Sequence, residues 1–124
     1  MELKGKTVLV VDDELDICQI IATELHDHGA QTRVAHSVTG ALQVLATCPV
    51  DLVISDVRMP GGASGIELLT TIHSRWAEMP VVMISGYADM TDDEVLQKGA
   101  QALVSKPFDF DELVQLCVDL TRRH

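Results

Sequence analysis

Positive charge is scarce in this chain of 124 residues: nine Lys and Arg stand against nineteen Asp and Glu, a formal net charge of −10. That balance repels nucleic acid phosphates and anionic membrane surfaces, so no direct nucleic acid binding by this domain is expected. Long hydrophobic runs are missing as well. The longest aliphatic stretches, such as Val8-Leu9-Val10-Val11, fall far short of the roughly 18 residues that a membrane span needs. Nor does Met1-Glu2-Leu3-Lys4 open a secretory signal. The expectation is a soluble, cytoplasmic protein with no membrane partner. Cysteine is sparse and unpatterned. Cys18, Cys48 and Cys117 are an odd number without C-x-x-C spacing, and two of them fall within apolar helical patterns, which reads as buried thiols rather than a metal site. The five His residues show no ligand spacing and read as solvated side chains. Repeats, low-complexity tracts and Pro/Gly/Ser-rich linkers are also lacking, and Gly61-Gly62-Ala63-Ser64-Gly65 is only loop-sized. Residues 1–124 therefore read as one domain, either standing alone or a piece excised from a longer chain.

What the chain does have is apolar content, 47% of residues, enough to bury a core. Short aliphatic runs recur at Val8 to Val11, Leu52 to Ile54, Val81 to Ile84 and Ala102 to Val104, with a more polar candidate at Thr32 to Ala35. Continuous runs of this kind suit strands covered on both faces. Between them lie apolar stripes at helical spacing: Ile17, Ile20, Ile21 and Leu25; Leu42 and Leu45; Leu69, Ile72 and Trp76; Leu113, Leu116, Cys117 and Leu120. A weaker helical stretch lies near Asp92 to Lys98. Gly29 and Gly99 sit where C-terminal caps belong, and Asp109 with Glu112 has capping-box spacing. Five strands alternating with five helices predict a doubly wound α/β fold, a five-stranded parallel sheet with helices on both faces. Ligands of such sheets gather outside the carboxyl ends of the strands, where strand order reverses.

Those ends carry polar residues unusual for apolar runs: Asp12 and Asp13 after the first strand, Asp56 after the third, Ser85 closing the fourth and Lys106 just past the fifth. Carboxylates gathered together repel one another until a proton or cation relieves them. Magnesium suits a site with few carboxylates, because it keeps several waters and completes its octahedron with phosphate oxygens. A carboxylate can attack phosphorus to form an acyl phosphate while a metal and a fixed cation such as Lys106 neutralise the equatorial oxygens, and Ser85 can donate a hydrogen bond to the same group. The plainer roles stay open at this point. Asp12 and Asp13 suit the start of a helix, Asp56 and Ser85 suit turns, and Lys106 before Pro107 suits the end of a strand.

Taken in order, Val11-Asp12-Asp13-Glu14, Ser55-Asp56-Val57-Arg58-Met59-Pro60, Ser85-Gly86-Tyr87-Ala88 and Lys106-Pro107-Phe108 resemble the signatures of response-regulator receiver domains over essentially the whole chain. The resemblance implies a flavodoxin-like fold of receiver type. It implies that Asp56 accepts a phosphoryl group from a phosphohistidine on a sensor histidine kinase or a histidine phosphotransfer protein. Magnesium, or manganese in its place, would be held by Asp13, Asp56 and the backbone carbonyl of Arg58 directly, and by Asp12 through water. Lys106 and Ser85 would bind the phosphoryl group, and the Lys106-Pro107 bond would be cis. Phosphorylation would then switch the face built from the fourth helix, fifth strand and fifth helix, a face that also suits a homodimer. Arg58 and Tyr87 would sit at the rim of the site and govern water access to the phosphoryl group. Such a domain catalyses its own phosphorylation and dephosphorylation without being a turnover enzyme.

Two features depart from the family pattern. Leu103 occupies the position where a Tyr or Phe ring often signals, and the loop after Met59-Pro60 is one residue longer before Gly65. Other function classes fit less well. A phosphatase of the haloacid dehalogenase type expects D-x-D at its nucleophile, whereas Asp56 is followed by Val57-Arg58. A flavodoxin-like electron carrier expects a Ser/Thr/Gly phosphate loop where this chain has Asp12-Asp13-Glu14. A module that docks partners without phosphorylation would have no need of the full acidic and lysine set.

Overall fold

The computed structural model describes residues 3–57, 65–85, 97, 99–105 and 109–122. Arg58, Tyr87, Lys106 and Pro107, the side chain of Ser85, and most of the stretch expected as a helix near Asp92 to Lys98 lie outside the described residues. The described elements run in the order β1 (Thr7–Val11), α1 (Leu15–Asp27), β2 (Gln31–Ala35), α2 (Val38–Thr47), β3 (Leu52–Asp56), α3 (Gly65–Arg75), β4 (Val81–Ser85), β5 (Ala102–Ser105) and a C-terminal helix (Phe110–Thr121). The aliphatic runs became strands, and β3, β4 and β5 each extend past their run to a polar residue: Asp56, Ser85 and Ser105.

All strand pairings are parallel, in the order β2-β1-β3-β4-β5. The predicted doubly wound sheet is what forms, with strand order reversing between β1 and β3. Its central strands β1, β3 and β4 are mostly apolar because both faces are covered. Alternation within each strand sorts side chains into two layers. Val8, Val10, Leu52, Ile54, Val82 and Ile84 pack against Cys18, Ile21 and Leu25 of α1 and Leu113, Cys117 and Val118 of the C-terminal helix. Leu9, Val11, Val53, Val81 and Met83 pack on the other side against Ala41 and Leu45 of α2 and Leu68, Leu69 and Ile72 of α3. β2, the polar candidate, is an edge strand with Gln31 and Arg33 exposed.

Local signals set the helix ends. Ser37 accepts a hydrogen bond from the Gly40 amide at 3.0 Å and starts α2. Asp109 caps the C-terminal helix by accepting from the Asp111 amide at 2.8 Å, the second helical amide rather than the third that the capping-box spacing implied. Gly29 and Gly99 adopt φ of 98° and 111°, the left-handed region that glycine enters at no steric cost. The cysteine expectation holds in the core, where Cys18 and Cys117 are free and buried. Among the described residues no helix is long and apolar enough to cross a membrane.

Core and surface should therefore respond differently to truncation. Leu9 is fully buried whereas Ile20 is 50% exposed, so Leu9→Ala should cost about 2–5 kcal/mol and Ile20→Ala under about 0.5 kcal/mol, read from urea unfolding. Alkali should probe Cys117. Burial pushes its thiol from the ordinary 9.0 up to about 12, against a smaller lowering by a backbone hydrogen bond. Above pH 9 the unfolded chain ionises there while the folded chain keeps the proton. The folded state then binds more protons, so this stabilisation is complete below pH 9 and lost as pH rises toward 12. The fall in urea midpoint between pH 8 and pH 11 should be shallower in Cys117→Ala than in wild type.

Candidate functional site

The topology brings the carboxyl ends of β1 and β3 side by side at the switch point, with Val11 opposite Ser55 and Asp56 opposite Ile84 of β4. Asp12, Asp13 and Asp56 are thereby collected into one group, with one ligand oxygen from each lying within 4.8 Å of the others. Asp12 and Asp56 are 2% and 7% exposed, and Asp13 is half-buried. Apolar strands carry these charges into a place where carboxylates are tolerated only beside compensating charge or hydrogen bonds.

Each backbone is held from several directions. The Asp12 amide donates to the Ala35 carbonyl of β2 at 3.1 Å, and an Asp12 carboxylate oxygen accepts from the Glu14 amide at 3.0 Å, turning the chain into α1. Asp12 thus makes a turn ahead of α1 without capping it, since the N-cap is Glu14. Asp13 enters α1 only through its neighbour, since Glu14 is the N-cap and makes no side-chain cap bond. At β3, the Ser55 hydroxyl donates to the Asp56 carbonyl at 3.1 Å, the Val57 amide donates to the Ile84 carbonyl at 2.9 Å, and the Gly65 amide donates to the Val57 carbonyl at 3.1 Å.

All donors in the group are carboxylate oxygens, the hard ligands that magnesium and calcium prefer. Opposite ligands of an octahedral magnesium lie about 4.1 Å apart, close to the span of the three oxygens. Three protein carboxylates leave the remaining positions for water and a phosphate oxygen, so the residues fit magnesium. Ser85 ends β4 beside Asp56 and pairs with Ser105, the residue before Lys106. The backbone therefore brings Ser85 and Ser105 to the same end of the sheet as Asp56, while Lys106 lies outside the described residues.

Two features were not legible from local sequence. Gly65 opens α3 with its α-carbon against β3, where an added Cβ would lie 1.8 Å from the Asp56 carbonyl oxygen. The imidazole Nδ1 of His36 lies 3.1 Å from the Asp12 carbonyl oxygen, although the His residues had read as solvated. The only hint was position, because His36 follows β2, the strand beside β1. A cleft of about 380 Å³ lined by Val50, Asp51, Trp76, Ala77, Glu78, Met79 and Pro80 lies at the opposite end of the sheet, remote from the acidic group.

Comparison with known proteins points the same way. The family model described as the response regulator receiver domain matches residues 8–117. A putative NtrX-like response regulator of Rickettsia bellii is 42% identical over 111 residues, 88% of this chain and 23% of that protein. The response regulator PilR of Pseudomonas aeruginosa is 36% identical over 97% of this chain and 27% of its own length. The chain thus spans about a quarter of these relatives. Among solved structures, the receiver domain of Francisella response regulator 1452 superimposes with a TM-score of 0.88 at 33% identity, covering 96% of this chain and 98% of that one. Thermotoga maritima TrrA, solved in complex with Mg2+-BeF, gives a TM-score of 0.84 at 32% identity over 93% of this chain and 98% of its own.

Gly65→Ala tests how tightly the carboxyl end of β3 is built. A methyl group at 1.8 Å from a backbone oxygen cannot be relieved by a rotamer change, so β3 and α3 must separate. Loss of about 1–3 kcal/mol is expected in urea unfolding, together with weaker Mg2+ binding because Asp56 moves. An unchanged midpoint and affinity would mean that the contact yields freely.

Proposed function

The chain belongs to the response regulator receiver domain family, and from that premise we infer that it is a phosphoryl-accepting switch whose acceptor is Asp56. The observation that carries the reading is the gathering of Asp12, Asp13 and Asp56 at the β1/β3 switch point. Response regulators of two-component systems take their signal from histidine kinases, so the phosphoryl donor is a phosphohistidine. An Asp56 carboxylate oxygen forms a bond to phosphorus as the phosphorus–nitrogen bond breaks, and the imidazole leaves with the electron pair and takes up a proton. Asp12, Asp13 and Asp56 would hold magnesium, together with the carbonyl of Arg58, which lies outside the described residues; when bound, the metal would supply positive charge against the phosphoryl oxygens. Lys106 supplies a fixed cation to the same oxygens and Ser85 a hydroxyl donor. The supporting neighbour is TrrA, itself solved with Mg2+-BeF.

On this reading Arg58 and Tyr87, both outside the described residues, would limit hydrolysis of the phosphorylated carboxylate. New contacts of the phosphoryl group with Ser85 and Lys106 bias the domain between two states, read by a partner or by a second copy at the face that includes β5. The work takes place in the cytoplasm, as one receiver unit within residues 1–124.

The test is incubation with acetyl phosphate and Mg2+, followed by intact mass measurement. One acid-stable, base-labile addition is expected in wild type, none in Asp56→Asn and none after chelation of the metal. Asp13→Ala should lower labelling at least about tenfold through lost metal affinity. Equal labelling of Asp56→Asn would place the acceptor elsewhere.

A further inference from the structure

Two side chains outside the acidic group converge on its backbone. The Asp12 carbonyl oxygen lies 3.1 Å from His36 Nδ1 and 3.3 Å from Cys18 Sγ, while Nδ1 and Sγ stand 4.0 Å apart. A carbonyl only accepts, so chemistry assigns the roles. Nδ1 carries its proton and donates, and the Cys18 thiol donates beside it. The 4.0 Å separation is then the gap between two donors flanking one acceptor rather than a bond of its own. Both lone pairs of that oxygen are engaged, and the Asp12 amide is tied to the Ala35 carbonyl at 3.1 Å.

This carbonyl belongs to the peptide that joins Asp12 to Asp13. Its direction sets the backbone angles on either side of that bond, and therefore where the two carboxylates point. We propose that His36, assisted by Cys18, is a positioning residue for the metal site: its Nδ1–H holds the Asp12–Asp13 peptide in the orientation that lets Asp12, Asp13 and Asp56 share one cation. The inference rests on the metal-site reading above and adds to it a residue that contacts neither metal nor phosphoryl group.

Each partner is fixed by its own element. His36 directly follows β2, whose register places Ala35 beside Val11, so the edge strand delivers the ring to the end of β1. Cys18 lies in the first turns of α1 and is fully buried in the core layer beneath the sheet. Its burial disfavours the charged thiolate. It therefore stays a protonated donor at neutral pH. His36 itself is exposed, so replacing it opens no core cavity, and a change at the metal site can be separated from loss of fold.

Mg2+ affinity by calorimetry and the ring state by 15N NMR provide the test, with thermal unfolding as a control. His36→Ala should weaken Mg2+ binding about tenfold, the lower range for residues that orient ligands from outside the coordination shell, with little change in unfolding temperature. His36→Asn should recover most of the affinity, because its Nδ2–H occupies the place of Nδ1–H. His36→Gln, whose amide lies one bond further out, should not. Cys18→Ser, which keeps a donor, should bind more tightly than Cys18→Ala, and the His36→Ala/Cys18→Ala pair should be non-additive, since both act on one oxygen. In the wild-type protein without metal, the ring nitrogen spectrum should show protonated Nδ1. Unchanged Mg2+ affinity in His36→Ala, equal behaviour of the Asn and Gln variants, or a ring protonated only at Nε2 would overturn the proposal. Asp13→Ala separates the two levels. If wild type binds Mg2+ and Asp13→Ala does not, the metal site stands whatever His36 does. If wild type binds none, the metal-site reading falls and the positioning role falls with it.

Discussion

Mutual repulsion of three carboxylates is the constraint around which this domain is arranged. Two full charges 4.8 Å apart repel by about 3–4 kcal/mol at the effective dielectric of a protein site, comparable to the gain from burying a whole Leu side chain, about 1.5–3 kcal/mol. No local preference of the chain would assemble them. They are brought together because β1 and β3 are neighbours in the sheet, and that neighbourhood is enforced by two apolar layers packed on opposite faces. A divalent cation bound there would reverse the sign of the interaction, turning the least favourable corner of the fold into a binding site. The core supplies the work of assembly and the ligand recovers it.

Holding charges close is not enough for phosphoryl transfer, which depends on placing the attacking oxygen. The structure answers with backbone contacts around each aspartate rather than with side-chain packing. Asp56 is pinned by the Ser55 hydroxyl on its carbonyl, by the β4 ladder beyond it and by Gly65 pressed against the same carbonyl. Asp12 is pinned by Ala35, Glu14, His36 and Cys18. Four different elements therefore converge on two residues. A rigid end to each strand would let a small chemical change, such as one phosphoryl group, act on a defined geometry.

The alternation of strands and helices and the placing of Asp12, Asp13 and Asp56 at strand ends were legible in the sequence because each rests on a short run or a period that local chemistry dictates. Leu52-Val53-Ile54 can only be a strand buried on both faces, and the acidic residues that end such runs announce themselves. The partners of those residues were not legible, since they depend on which elements become neighbours. A glycine in a glycine-rich loop gives no sign that its missing Cβ makes room for the Asp56 carbonyl. A histidine after a polar edge strand reads as solvated until β2 is placed beside β1. The bond made by Asp109 also differed from its spacing, because Asp reaches the second helical amide as readily as the third.

Leu103 shows how the missing ring at its position changes what the fold can transmit. It packs against the layer formed with α2 and α3 and pairs in register with Met83 of β4. The terminal methyl of Met83 in turn lies 3.1 Å from the site where a Gly65 Cβ would stand, and Gly65 abuts the Asp56 carbonyl. A continuous run of contacts therefore joins the acceptor aspartate to residue 103 through flexible thioether and aliphatic groups. A tyrosine at 103 could report a change by swinging a ring or exchanging a hydrogen bond. Leucine has neither a polar atom nor a plane, so it can respond only to displaced volume. Because a close-packed layer resists compression, a shift of Asp56 would reach β5 as movement of the strand or its neighbours rather than as a local rotamer flip. Any coupling carried through Leu103 would therefore be steric, set by how far the β3, β4 and β5 ends moved together.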